Sequence, residues 1–308
     1  MKTPHTRLLS SAAAAIVAAA CFAPQIAPAD DPATLKFTWQ VGKTYAYRMD
    51  SEMDMEMAAL GAGNQKVKMS QEISMTVRKA DEGDGKVITG VLERMAMEMN
   101  MAGQAIKFDS SKPPAEDDIF GGLIAAQFEG VINKPFEMLY DKDDKFVKVL
   151  NAPKLPEGGG LPAMEVMSPE QVQQMFSTLM DLGAPEKPVE VGGKWSSKSD
   201  IAMPGAGKTE VNADYLMEGR EEKGGANCAK IISAGTIKGN FAAGDGEGAA
   251  PQIKISDSTM EGMTWWDEKI GAPRASETTM DLKMDVSGQV MKAKQKMTAS
   301  LLKFEDAD

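Results

Sequence analysis

Histidine is almost missing from these 308 residues: the one imidazole is His5, close to the N-terminus. Imidazole is the side chain whose charge changes near neutral pH, so Ser-His-Asp, Cys-His and His-based metal hydrolysis lose the group they are built on. Cysteine is nearly as scarce. Cys21 and Cys228 are the two thiols, and a chain shortened past Cys21 keeps one, which cannot form an internal disulfide. Aromatic residues make up 6% of the chain, little for gripping sugars, and no carboxylate pair stands out for glycoside chemistry. Past the N-terminus, no run is apolar for the ~20 residues a membrane helix needs. Positive charge is in deficit, with 34 Lys and Arg against 45 Asp and Glu. That balance argues against nucleic acid and against an anionic membrane surface. These absences point to a non-enzymatic protein without a cofactor, held together by its core.

The first residues read as an address. Lys2, His5 and Arg7 precede a small, apolar run over 8–20, and Ala27-Pro28-Ala29 follows. Charge, a short apolar core and an A-x-A end predict a secretory signal peptide over 1–29. Residues 30–308 are then expected to form a single β-rich exported domain, located in the periplasm or cell envelope. Removing 1–29 takes away Lys2 and Arg7 and no acid, so the net charge moves from −11 to −13. A competing pattern, Ala18-Ala19-Ala20-Cys21, is a lipoprotein cleavage box that would leave Cys21 lipidated, although Ala18 stands where a large aliphatic residue is usual.

What the chain has in plenty is methionine, 24 in all. Met49, Met53, Met55 and Met57, then Val67, Met69, Ile73, Met75 and Val77, then Val87, Val91, Met95, Met97, Met99 and Met101 fall on odd positions. Glu52, Asp54, Lys66, Lys68, Glu72, Arg94 and Glu98 fall between them. A period of two predicts strands with one apolar, sulfur-rich face and one wet face; a helix does not place i and i+2 together. Strands are expected over 45–57, 65–79, 86–101 and 104–108, with a hairpin over 135–140 and 145–150. Six more follow over 194–203, 208–218, 228–238, 252–266, 275–286 and 290–304. Ser276, Thr278, Met280, Leu282, Met284 and Val286 share one face of the penultimate strand. Phe37 to Trp39 is read as a short edge strand.

Two helices are expected. One covers 117–128. The other covers 168–182, where Ser168-Pro169-Glu170-Gln171 is a capping box with proline at the first helical position, and Gly183 and Pro185 stop it. The fold class is therefore mainly β (α+β): a long curved antiparallel meander or half-barrel with two or so helices packed on one face.

Several local motifs have plain structural explanations. Gly205-Ala206-Gly207-Lys208-Thr209 resembles the end of a phosphate loop, but Ala202 stands where the first glycine belongs and a strand follows, so a hairpin turn is expected. Asp141-Lys142-Asp143-Asp144 lacks calcium-loop spacing and reads as a solvated turn. Trp265-Trp266 puts one indole on each face, with one of them expected at a rim. Cys228 is expected as a small buried residue in its strand.

The run Val41-Gly42-Lys43-Thr44-Tyr45, the methionine-rich strands, 187–195 and 262–274 resemble uncharacterised exported bacterial proteins of a domain-of-unknown-function family. The overall plan is similar to that of the periplasmic lipoprotein carriers and related half-barrels. The likeness implies a fold and transfers no functional residue.

Unbranched thioethers suit an adaptable apolar surface better than a sharply specified core. The expected function is an envelope protein binding an apolar ligand, a lipid or an acylated protein. Its ligand-facing candidates are Met53, Met55, Met57, Met69, Met75, Met95, Met97, Met99, Met280 and Met284. The alternatives are a structural or protein-interaction module whose methionine face is simply core, and a methionine-based Cu(I) carrier. No nucleic-acid partner and no transmembrane span are expected, and the sequence does not indicate an oligomeric state.

Overall fold

Alternating apolar and polar residues become strands almost residue for residue. A computed structural model describes residues 31–56, 63–101, 104–114, 118–153, 182–183, 185–203, 207–242, 252–286 and 288–307. The first half holds β1 (Lys43–Glu56), β2 (Gln65–Lys79), β3 (Lys86–Met101), β4 (Gln104–Asp109), α1 (Ile119–Phe128), β5 (Pro135–Tyr140) and β6 (Phe146–Asn151). The second holds β7 (Lys194–Met203), β8 (Gly207–Lys223), β9 (Ala226–Ala242), β10 (Gln252–Asp267), β11 (Ala272–Val286) and β12 (Gln289–Asp306). The expected helix over 168–182, apart from Leu182, and the leader over 1–29 lie outside the described residues.

All twelve strands join one antiparallel sheet in the order β6-β5-β3-β2-β1-β12-β11-β10-β9-β8-β7, with β4 beside the second half of β3. This is two meanders rather than one. They are welded where the first strand meets the last, from Lys43 opposite Asp306 to Glu56 opposite Lys292. The open edges, β6 and β7, come from the middle of the chain.

Partners across an antiparallel ladder share a face. Tyr45, Tyr47, Met49, Ser51, Met53 and Met55 of β1 therefore face the same way as Met75, Ile73, Gln71, Met69 and Val67 of β2. They also face the same way as Leu301, Ala299, Met297, Gln295 and Ala293 of β12. One expectation fails at β3. A bulge leaves Glu93 unpaired, so the inward residues are Ile88, Gly90 and Leu92 before it and Met95, Met97 and Met99 after it. Val87 and Val91, expected on the methionine face, point to the other side because the extra residue shifts the parity.

Phe37 to Trp39 is not an edge strand. Residues 33–40 form a strap across the methionine-bearing side at the end of the sheet where β1 begins. Ala33 exchanges both backbone hydrogen bonds with Val189, just ahead of β7, and Thr38 N–H donates to Gly271 O. Trp39 N–H donates to Asp144 Oδ1 in the β5–β6 turn. Ten strand spacings separate the two edges, ~48 Å in a flat sheet. The six steps from Ala33 to Trp39 reach at most ~21 Å. The sheet is therefore rolled at this end, with the strap inside the roll.

Aromatic packing fills that end. Trp39, Tyr45, Tyr47, Ile73, Met75 and Met138 form one buried cluster, and Leu35, Met217, Ile231 and Trp266 form a second beside it. Trp39 meets Phe37 and Tyr45 edge-on, with centroids 4.7 and 5.3 Å apart. Tyr47 Oη donates to Pro273 O at 2.7 Å. Both indoles of the Trp265-Trp266 pair are buried, against the expectation of one at a rim. The strap covers Trp266, and the Lys223 ammonium lies 3.7 Å over the ring of Trp265 on the far side. In the 141–144 turn, Lys142 and Asp143 are solvated as expected, whereas Asp144 is not. Asp144 adopts a left-handed φ of 65° and aims a buried carboxylate at Lys86 Nζ, 2.5 Å away, as well as at the strap.

The first predicted helix is present as α1. Asp118 Oδ1 caps it by accepting from Gly121 N–H at 2.7 Å, and a side chain at 121 would collide with that carboxylate. Ile124 and Phe128 pack on Leu92, Met95, Met97, Ile106 and Phe108, closing the β3–β4 part of the same face. No helix among the described residues is long and apolar enough to cross a membrane.

Candidate functional site

Above the aromatic end, the inward side chains form rows running across the strands. The first consists of Met49, Ala299, Ser276, Thr264, Ile231 and Met217. Next comes Ser51, Met297, Thr278, Gly262, Ser233 and Tyr215, with Met69 and Met97 continuing past β1. Then come Met53, Gln295, Met280, Met260, Gly235 and Ala213. Farther out lie Met55, Ala293, Leu282, Ile237 and Val211, and finally Met291, Met284, Ile255 and Gly239. On β10 and β11, small and hydroxyl-bearing residues thus lie between the aromatic plug and the methionines.

Nine of the ten predicted ligand-facing residues are described, and they divide into three groups. Met53, Met55, Met280 and Met284 gather as half-buried members of a single cluster with Val211, Ile237, Ile255 and Leu282. Met69, Met95, Met97 and Met99 belong to the cluster beneath α1, with Met95 and Met97 buried. Met75 is fully buried in the aromatic core. Met57 lies outside the described residues. Sequence reasoning missed Met260, which sits directly opposite Met280, because the bulge between Ile255 and Thr259 interrupts the alternation there.

The other side of the sheet is charged in register. Lys296, Glu52, Lys68, Glu98 and Lys107 are successive cross-strand partners over five strands, and Asp281, Lys294, Asp54 and Lys66 form a parallel row. Lys66 pairs with Glu52, and Lys107 lies 3.0 Å from Glu98. Deeper on that side, Arg94 grips Asp109 with two donors at 3.1 and 2.9 Å. Together with Ser111 it holds the Asp109 carboxyl well below the usual carboxylate range.

A groove of about 700 Å³ lies on the charged side, walled by Lys112, Pro113, Pro114 and Asp118. Nine of its nineteen lining residues are charged, so it is not an apolar space enclosed between helices and methionines. Elsewhere, Cys228 is buried and its thiol is pushed up to about 11, chiefly by desolvation, which keeps it protonated near neutral pH.

No family model matches this sequence, and no curated protein matches it. Among solved structures, the fold is similar to lipovitellin, in a structure concerned with lipid-protein interactions, at a TM-score of 0.50 and 10% identity. The match covers 88% of this chain and 26% of that one, so the chain spans about a quarter of lipovitellin's length. A Bacteroides fragilis protein with a YmcC-like fold, provisionally classed as exported, aligns at 10% identity over 89% of this chain and 100% of that one, with a TM-score of 0.27. A Parabacteroides distasonis protein provisionally classed as a lipoprotein aligns with the same identity and coverage at 0.25. The likeness to lipovitellin is one of fold.

Proposed function

We propose that this is a non-enzymatic cell-envelope protein that holds an apolar ligand, a lipid or acyl chain, along the methionine-lined face. The observation that carries the proposal is the contrast between methionines on one face. Met75 is fully buried under the strap, whereas Met53, Met55, Met260, Met280 and Met284 are half-buried beyond it. Flexible, polarisable side chains left partly open make a surface that adapts to chains of varied shape. The shared fold with lipovitellin, a protein studied for its lipid interactions, supports the proposal. So does the leader-like N-terminus, a pattern that fits an envelope location.

Native mass spectrometry of protein purified from the envelope tests it. The expected result is a co-purifying lipid and saturable uptake of a fluorescent acyl probe after delipidation. A clean apo mass with no uptake would instead mean that the methionine face is core or a protein contact. Because Met260 and Met280 are direct cross-strand partners, a silver titration belongs beside it. Tight silver binding without lipid would replace the acyl ligand by a soft metal ion.

A further inference from the structure

We infer that the ligand is an amphiphile with an uncharged, hydrogen-bonding head group, of the glycerol-ester class, seated with its head against Gly262 and its chain along the methionines. This rests on the proposal that the face holds an apolar ligand and adds what its head must be.

Charge selects the head group. In the rows from Met49 outward, no inward-facing described residue of β1–β4 or β7–β12 is ionisable near neutral pH. The helix α1 carries no charge either. Lysines and acids alternate on the opposite side, where they pair with one another. A carboxylate or phosphate drawn onto this face would lose water without gaining a cation, which costs far more than desolvating a neutral hydroxyl or ester that finds a hydrogen bond.

Four of the inward hydroxyl residues adjoin one another on β9–β11. Gly262 lies between Thr278 and Ser233 in its row. A Cβ placed on Gly262 would be 2.6 Å from Ser233 Oγ and 3.3 Å from Thr278 Oγ1, so both hydroxyls lean over the bare backbone. Thr264 and Ser276 are opposite one another in the adjoining row. All four hydroxyl residues are half-buried, and among the described residues none makes a side-chain hydrogen bond. Each can donate and accept, which matches glycerol hydroxyls and ester carbonyls. Toward the aromatic plug the seat is blocked by Trp266, Tyr47 and the strap. Away from it, the run from Thr278 to Met284 extends ~20 Å along the strand, the scale of a long acyl chain.

The test uses the full mature chain after delipidation, with four fluorescent probes sharing one acyl length. These are a monoacylglycerol, the free fatty acid at pH 8, the lysophosphatidic acid and an alkyl probe without a polar head. The monoacylglycerol is expected to bind at least ~10-fold tighter than either anion, equivalent to ~1.4 kcal/mol. Thr278→Val is expected to weaken the monoacylglycerol by ~5-fold, the loss of about one hydrogen bond, and to leave the alkyl probe unchanged. Gly262→Ala, which fills the notch, should do the same. Thr298→Val on the charged side should change neither, and circular dichroism confirms that each variant is folded. Equal or tighter binding of an anionic probe overturns this inference while leaving the apolar-ligand proposal intact. So does a Thr278→Val variant with unaltered monoacylglycerol affinity. Failure of all four probes overturns both.

Discussion

One face of one sheet is finished in two ways. At the strap end, the stiff rings of Trp39, Tyr45, Tyr47 and Trp266 are at most 2% exposed, and Trp39 meets Tyr45 edge to face. Three to five rows farther along the same strands, the inward positions hold Met53, Met55, Met280 and Met284, all half-buried and unbranched. The alternation that builds the strands is the same in both places, so alternation alone does not separate core from binding surface. Side-chain stiffness and coverage do. Aromatic rings with polar tips specify one arrangement, whereas thioethers tolerate several.

The comparison can be broken most sharply at the strap. Trp39→Ala removes the ring on which Phe37, Tyr45 and Tyr140 converge. It should cost ~3–5 kcal/mol in urea unfolding, the range for large aromatic truncations in cores. An effect below ~1 kcal/mol would mean that the rolled end is not the structural core. The methionines sharpen the contrast: Met75→Ala should cost ~2–5 kcal/mol and Met280→Ala less than half as much, because a half-open site creates little cavity. Equal losses would make both ends core.

A smaller effect separates the ends by pH. Burial pushes the Tyr45 and Tyr140 phenols up to about 12 from an ordinary 10.0. The folded state therefore holds these protons more tightly than the unfolded chain. Their contribution is complete below pH 10 and is lost as the pH rises from 10 to about 12, so stability should fall over that window. Tyr45→Phe and Tyr140→Phe together should flatten the decline. A fall of equal size in the double variant would contradict the assignment.

Much of the architecture was legible because a period of two over fourteen or more residues has one structural solution. β2 and β3 match the expected bounds, and the apolar face of β11 was read correctly from Ser276 to Val286. Other features depend on residues far apart in the chain. Nothing in local pattern says that Lys43 will meet Asp306, or that Trp39 will find Asp144 rather than a neighbouring strand. The Glu93 bulge reversed Val87 and Val91 because a single unpaired residue is invisible to periodicity. The candidate site was half legible. Methionine abundance marked Met53, Met55, Met280 and Met284, but it also marked Met75, whose burial is imposed by a strap thirty-six residues upstream at Trp39. The hydroxyls around Gly262 carried no sequence signal, since serine and threonine are ordinary strand residues until their neighbours are known.

The most direct test of the central claim is to locate a bound chain. A monoacylglycerol carrying a photoreactive group near its chain end should, on irradiation with the delipidated protein, label peptides containing Met53, Met55, Met280 or Met284. Labelling of the charged groove around Lys107 and Pro113, or of no discrete site, would contradict the account.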